Sequence, residues 1–413
     1  MAKKELRENL FVDPASEIYI NIPNMSLAYA ATVYDTPVVD QHVLPYPRDR
    51  FMKYETKTLG ISIRSFAYRE AMRIIKKYSH RYPQANIKSI SGLDVQCCYP
   101  FFDLSEHLSL NVDFSDNLPF PRYELFDSFN YLSTNWRLGL WHYPLLTSLG
   151  CPYQCIFCAS RNRTYKTRSV ENCVGELAQA KEKYRIVSFE IIDDCFNLDK
   201  SRVMNFCETV RPLKLTWLCS NGLRADRFDE EEASALKSSG CKVVGFGIES
   251  VSQDVLEKIR KGETIEQIEK AVKIAKRYFS EIKGYFIIGL PGSSYEKDLA
   301  SIEWVRRMAI KPIFSYYLPE SNKLTAETGS PERIFFGSKA QPQSCAYSPD
   351  QQHRIYSIAK KQIRRLYHRQ KLPFRLIYVT IKALVSYNFN SILTHFIIGP
   401  KRFLNLLIKG EVQ

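Results

Sequence analysis

The run CPYQCIFC, Cys151 to Cys158, decides how this chain reads. Its cysteines are spaced C-x3-C-x2-C and follow a short apolar stretch of strand character at 143–148. Three thiolates on one tight loop can hold three irons of a cubane [4Fe-4S] cluster and leave the fourth iron without a protein ligand. An open metal position is where a substrate or cofactor binds. A structural zinc site needs four ligands, and the next cysteines, Cys173 and Cys195, form no second C-x2-C pair. Three cysteines within eight residues, with Pro152 and an aromatic among them, are also a poor pattern for core packing. The spacing therefore points to Cys151, Cys155 and Cys158 as cluster ligands.

Outward from this run, residues 140–318 alternate strand and helix patterns, which argues for parallel strands with crossover helices. Strand character recurs at 143–148, 187–192, 215–219, 243–248, 282–288 and 313–318. Between them, Val203, Phe206, Cys207 and Val210 make a helical stripe at i, i+3, i+4 and i+7. Asp229 with Glu232, and Thr264 with Gln267, read as helix starts. Six βα repeats predict a partial (β/α)6 barrel. In such barrels chemistry gathers at the carboxyl ends of the strands. The cysteines follow the first strand, Asp193 and Asp194 end the second, and Asn221 to Arg224 follow the third. Glu249 and Ser250 end the fourth, and Gly289 to Gly292 the fifth.

With the aromatic Phe157 before its last cysteine, CPYQCIFC resembles the signature of the radical S-adenosylmethionine (SAM) superfamily. NLPFPRYELFD (117–127), FEIIDDCF (189–196), FGIES (246–250) and FIIGLPG (286–292) are similar, in order, to later motifs of its cobalamin-binding-domain, class B methylase-like branch. The resemblance covers roughly residues 17 to 400. It implies an α/β fold: a TIM-like radical SAM barrel at 140–320, preceded by a shortened flavodoxin-like domain at 1–116 and a linker at 117–139. A basic, mostly helical region follows at 321–413. It further implies a 4Fe-4S cluster on the three cysteines and SAM held by Phe157, Asp193, Asp194, Arg224, Glu249, Ser250, Ile287 and Gly289. In that reading the paired acids hold the ammonium, Arg224 the carboxylate and Glu249 the ribose, while Ile287 and Gly289 lie along adenine.

The implied reaction is reductive cleavage of SAM to a 5′-deoxyadenosyl radical that functionalises an unactivated carbon. C-methylation of a lipid, peptide or natural-product intermediate is its simplest form, with flavodoxin or ferredoxin as one-electron donor. An RNA-modifying radical enzyme and a non-catalytic iron–sulfur electron carrier are the competing readings. No second cluster motif or RNA-binding module favours the first, and an electron carrier needs no adenine slot. Cobalamin stays open. Asp40-Gln41-His42 comes near the D-x-H-x-x-G cobalt-ligand pattern, but Pro45 stands where the pattern has glycine and the motif follows the wrong strand.

At 413 residues the chain suits two domains and an extension. MAKKELREN at the start is charged with no apolar core, and eleven scattered cysteines are an odd number. Both favour a reducing cytoplasm over a secreted disulfide framework. Residues 351–413 carry twelve Lys or Arg against one acid, Glu411, and so hold most of the +14 net charge. The rest is nearly balanced, which speaks against nucleic acid as the barrel's partner. The uncharged run at 383–400 is too polar to span a bilayer. That tail either packs as a cap on the barrel or lies at the inner membrane surface, held by its basic residues. Cys97 and Cys98 lack a ligand pattern, and Cys173, Cys207 and Cys241 sit at core positions.

Overall fold

The computed structural model describes residues 7–14, 25–41, 49–62, 68–91, 107–109, 114–158, 160–161 and 163–317, with scattered positions between 348 and 362. The expectations for His42, for Cys97 and Cys98, and for the tail beyond 362 fall outside these residues.

The front unit contains β1 (Arg7–Asp13), α1 (Met25–Val33), β2 (Val38–Asp40), β3 (Thr56–Ile61), α2 (Tyr68–Arg81), β4 (Asn86–Ser91) and β5 (His107–Ser109). Its strands pair in the order β2-β1-β3-β4-β5, all parallel. This is the doubly wound order of flavodoxin-like sheets. α2 buries Ala71, Ile74 and Tyr78, at i, i+3 and i+7, against Leu10, Val12, Leu59 and Ile61 of the sheet.

α1 behaves differently. Every residue from Met25 to Ala31 is buried, as befits a helix that is apolar all round. It lies in a seam with the linker and the barrel, and one continuous core joins all three. There Tyr123 donates to Met25 Sδ at 3.0 Å and stacks edge-on with Trp136 and Tyr143, 5.0 and 5.6 Å between ring centres. Asp127 ties the linker to β2: its N–H donates to Val38 O at 2.9 Å, and its Oδ1 accepts from Asp40 N at 2.9 Å. Ser128 Oγ donates to Asp40 Oδ2 at 2.7 Å. α3 (Phe129–Leu138) follows and stops at Gly139, whose φ of 64° ends the helix.

The barrel runs β6 (Tyr143–Leu145), β7 (Ser148–Cys151), β8 (Arg163–Thr167), α4 (Val170–Tyr184), β9 (Ser188–Ile191), α5 (Lys200–Val210), β10 (Thr216–Leu223) and α6 (Glu230–Ser238). β11 (Cys241–Glu249), α7 (Gln253–Lys258), α8 (Ile265–Tyr278), β12 (Glu281–Ile288), α9 (Tyr295–Met308) and β13 (Lys311–Tyr316) complete it. Six strands pair in chain order, β6-β9-β10-β11-β12-β13, every pair parallel. The expected partial (β/α)6 arrangement is present, with β6 and β13 as its edges.

α5 buries the expected stripe of Val203, Phe206, Cys207 and Val210. Thr264 and Gln267 form a reciprocal capping box at α8. Asp229 caps α6 by accepting from Glu232 N at 2.9 Å. The Glu232 side chain is fully buried, however, and burial pushes its carboxyl up to about 8. The antiparallel pair β7–β8 was not expected, because Arg163–Thr167 is a short polar strand with no apolar alternation.

Candidate active site at the carboxyl rim

The cysteines sit on the ribbon β7–β8. Cys151 ends β7 opposite Arg163, and Cys155 and Cys158 lie on the connecting loop. Gly150 makes the geometry possible: at φ 84°, a Cβ there would stand 2.4 Å from Thr164 O. Cys158 N donates to Cys155 O at 3.1 Å, and Ile156 N to Ile259 O at 3.1 Å. Ser160 N donates to Cys158 Sγ at 3.4 Å. Cys155 is buried, Cys151 and Cys158 are half-buried, and Phe157 packs against the core from the same loop.

Asp193 and Asp194 hold this loop. Asp193 is fully buried, and its carboxylate accepts from Thr147 N (2.7 Å), Thr147 Oγ1 (2.5 Å) and Ser148 Oγ (2.6 Å). The sequence expected the paired acids on a cofactor ammonium; here Thr147 and Ser148 engage both oxygens of Asp193. Asp194 is half-buried and bridges the two ends of the loop, accepting from Gly150 N at 3.0 Å and Ser160 Oγ at 2.7 Å.

Arg224 is the cation expected on the cofactor carboxylate. Its guanidinium is 6 % exposed and donates to Asp226 Oδ1 (2.9 Å), Lys261 O (3.1 Å) and Gly262 O (3.1 Å). It also lies 3.4 Å from the ring centre of Tyr153, inside the cysteine loop. Arg227 donates to Tyr153 Oη at 2.8 Å. In this arrangement Arg224 clamps the loop.

Glu249 stands at the end of β11 with φ 63°, beyond an irregularity in the β11–β12 register. Its Oε1 lies 3.2 Å from Lys261 Nζ, and burial raises its carboxyl against the pull of that lysine. Ser250 is buried, and its Oγ accepts from Ser252 N at 3.2 Å, ahead of α7. Ile287 is partly buried on β12. Gly289 follows at φ 78° with its N–H on Asp298 Oδ2 at 2.9 Å. The structure therefore gathers the cysteines, Phe157, Asp194 and Glu249 around one end of the sheet, with Ile287 and Gly289 on the next strand of the same edge.

The donor set fits an iron–sulfur cluster. A cubane takes each thiolate on a different iron, which three thiols spaced along one loop can supply. A hydrogen bond from Cys195 lowers the Cys151 thiol to about 7. Burial pushes Cys155 up to about 11, opposed first by Lys261, and also raises Cys158. Metal uptake here must displace protons. The remaining cysteines expected in the core, Cys173, Cys207 and Cys241, are buried.

Sequence reasoning missed the concave face of the sheet. On β12, half-buried Lys283, Tyr285 and Ile287 alternate with buried Ile282, Gly284, Phe286 and Ile288. Lys283 Nζ donates to Ser220 Oγ on β10 at 3.0 Å, reaching past β11, where Gly245 is its register partner. Tyr285 Oη donates to Asn221 Oδ1 at 2.9 Å. His142 Nδ1 pairs with Ser188 Oγ at 2.7 Å, and burial, then Lys283, lowers it to about 4. Burial raises the Glu190 carboxyl nearby. The signal that could have found these residues is the period-2 polarity of β12.

A cysteine-bearing loop at the carboxyl rim of an open, parallel six-stranded sheet defines the class. Residues 145–305 match the family model described as the radical SAM superfamily. An uncharacterised methyltransferase of Pyrococcus horikoshii is 35 % identical over 200 residues, 47 % of this chain and 42 % of its own. Cytidylyl-2-hydroxyethylphosphonate methyltransferase of Streptomyces wedmorensis is 29 % identical over 204 residues, 46 % of this chain and 38 % of its own. The chain thus spans about two fifths of the length of these curated relatives. Among solved structures, the radical SAM methyltransferase TsrM of Kitasatospora setae superposes with a TM-score of 0.59 at 15 % identity. That match covers 76 % of this chain and 73 % of TsrM, so the two share a fold. TsrM was solved with cobalamin and a [4Fe-4S] cluster, and with tryptophan and a SAM analogue.

Proposed function

We propose that this protein is a radical SAM enzyme that methylates an unactivated carbon of a small natural-product-type substrate, with Cys151, Cys155 and Cys158 holding the cluster. The observation that carries the reading is the clamped cysteine loop at the carboxyl rim of the open barrel. When bound, a cluster of this kind supplies the electron that splits SAM into methionine and a carbon radical able to take hydrogen from an unactivated position.

The chain's own residues bind and orient. Asp194 fixes both ends of the cysteine loop. Phe157, Ile287 and Gly289 offer an apolar flank at the rim, and Glu249 offers a carboxylate for hydroxyl donors. Lys283, Glu190, Ser220 and Tyr285 give the concave face a polar lining suited to a substrate with charged or hydrogen-bonding groups. The front sheet supports a methyl carrier. Its flavodoxin-like order brings the carboxyl ends of β1, β2 and β3 together, where ligands of such sheets bind. We assign that place to cobalamin, and a reduced flavodoxin or ferredoxin to electron supply.

The test is anaerobic reconstitution with iron, sulfide, SAM and a chemical reductant. Formation of 5′-deoxyadenosine and retention of cobalamin on purification are the expected results. Absence of 5′-deoxyadenosine from cluster-loaded protein would overturn the enzymatic reading, and loss of all cobalamin would overturn the methyl-carrier part.

A further inference from the structure

Lys261 is a buried cation that reaches the rim carboxylate Glu249 from the segment beneath the cysteine loop. It is 7 % exposed, and its Nζ lies 3.2 Å from Glu249 Oε1 and 3.3 Å from Glu263 Oε2. The segment that carries it is stitched to the cysteine loop twice. Ile259 O accepts from Ile156 N, next to Cys155, and the carbonyls of Lys261 and Gly262 accept from Arg224, whose guanidinium stacks on Tyr153. β11 makes room for this arrangement. A Cβ on Gly247 would stand 2.7 Å from Glu249 Oε1 and 3.0 Å from Lys261 Nζ. Glu263 is anchored in turn, its Oε1 accepting from Ala225 N at 2.6 Å.

A buried ammonium is retained only where carboxylates offset its desolvation. Glu249 and Glu263 do so and keep the lysine charged, although burial alone would lower its pKa. Its electrostatic partners also include Cys155. Such a charge acts on its surroundings through a medium far less screening than water.

We propose that Lys261 is a positioning residue that sets the reduction potential of the cluster and holds Glu249 at the rim. One-electron reduction adds negative charge at the cysteine loop, and a fixed positive charge beside Cys155 favours the reduced form. The inference rests on the proposed cluster. It goes further by naming a residue outside the cysteine motif that governs how readily the electron is accepted.

The experiment is a potentiometric titration of anaerobically reconstituted protein, followed by electron paramagnetic resonance of the reduced cluster, with no substrate present. Lys261→Met should move the midpoint potential to more negative values, and Lys261→Arg should hold it close to that of the parent. Glu263→Gln, which removes a negative charge from the same cluster of side chains, should move it the opposite way. Should Lys261→Met fail to fold, the Glu263→Gln and Lys261→Arg arms still decide. Midpoints indistinguishable from the parent in every folded charge-changing variant overturn the inference and leave the cluster assignment intact. Absence of any reducible cluster in the parent protein overturns that assignment, and this inference with it.

Discussion

Two buried ion pairs, one at the seam and one at the rim, use similar groups for different ends. At the seam, Arg168 Nη1 lies 2.6 Å from Glu176 Oε2, with the side chains 0 % and 1 % exposed. Tyr143 donates to the other oxygen of Glu176 at 2.9 Å, and Arg168 donates also to Leu146 O at 3.0 Å. Arg168 lies 5.6 Å from the ring centre of Phe120, and neither side chain of the pair reaches solvent. At the rim, the side chains of Lys261 and Glu249 are 8 % and 9 % exposed, stand at the carboxyl end of β11 and border the cysteine loop. A sealed pair fixes geometry, while a pair that borders the cysteine loop can act on what that loop holds. Position in the fold, not residue type, separates structure from chemistry.

The comparison breaks most visibly at the rim. Cys155→Ala should abolish 5′-deoxyadenosine formation to background while the unfolding midpoint of the apo-protein stays near that of the parent. Undiminished turnover in this variant would show that the loop is not the cluster site. The seam should respond in the opposite sense. Glu176→Ala leaves Arg168 buried without its partner, and should cost about 3–5 kcal/mol in urea unfolding. A loss below about 1 kcal/mol would mean that the seam pair is replaceable by water.

A third buried carboxyl, remote from both, sharpens the contrast through pH. Glu232 has its folded pKa raised to about 8 by burial, above the ordinary value of 4.5. The folded state therefore resists ionisation between those values, and its stability falls as pH rises from 4.5 through 8. Glu232→Gln should remove this dependence and gain roughly 3 kcal/mol at pH 7, with no difference below pH 4. A pH-independent difference would contradict the burial argument. Smallest of all, Thr264→Ala should cost about 1 kcal/mol by opening the capping box of α8. It should leave cluster loading unchanged, although Glu263 is its neighbour.

The sequence made the repeats legible because strands and helices of a parallel barrel impose their own periods locally. The stripe of α5 and the Thr264–Gln267 box are fixed within a few residues, and both form as expected. Partners fixed by tertiary structure were not legible. Asp193 is satisfied by Thr147 and Ser148, 46 and 45 residues away. Arg224 is satisfied by carbonyls 37 and 38 residues away. Nothing near either residue announces this. β8 escaped notice because RTYKT pairs through its backbone while most of its side chains face water, so no apolar alternation marks it. Lys261 escaped for a related reason: a lysine between Arg260 and Gly262 reads as a surface turn until both its carboxylates are located.

The most direct test concerns the metal itself. Mössbauer and electron paramagnetic resonance spectra of ⁵⁷Fe-reconstituted protein, taken with and without SAM, report the coordination of each iron. One [4Fe-4S] cluster per chain is expected, in which a single iron changes its spectrum when SAM is added. Spectra that ignore SAM because protein side chains hold every iron, or a preparation that takes up zinc and no iron, would contradict it.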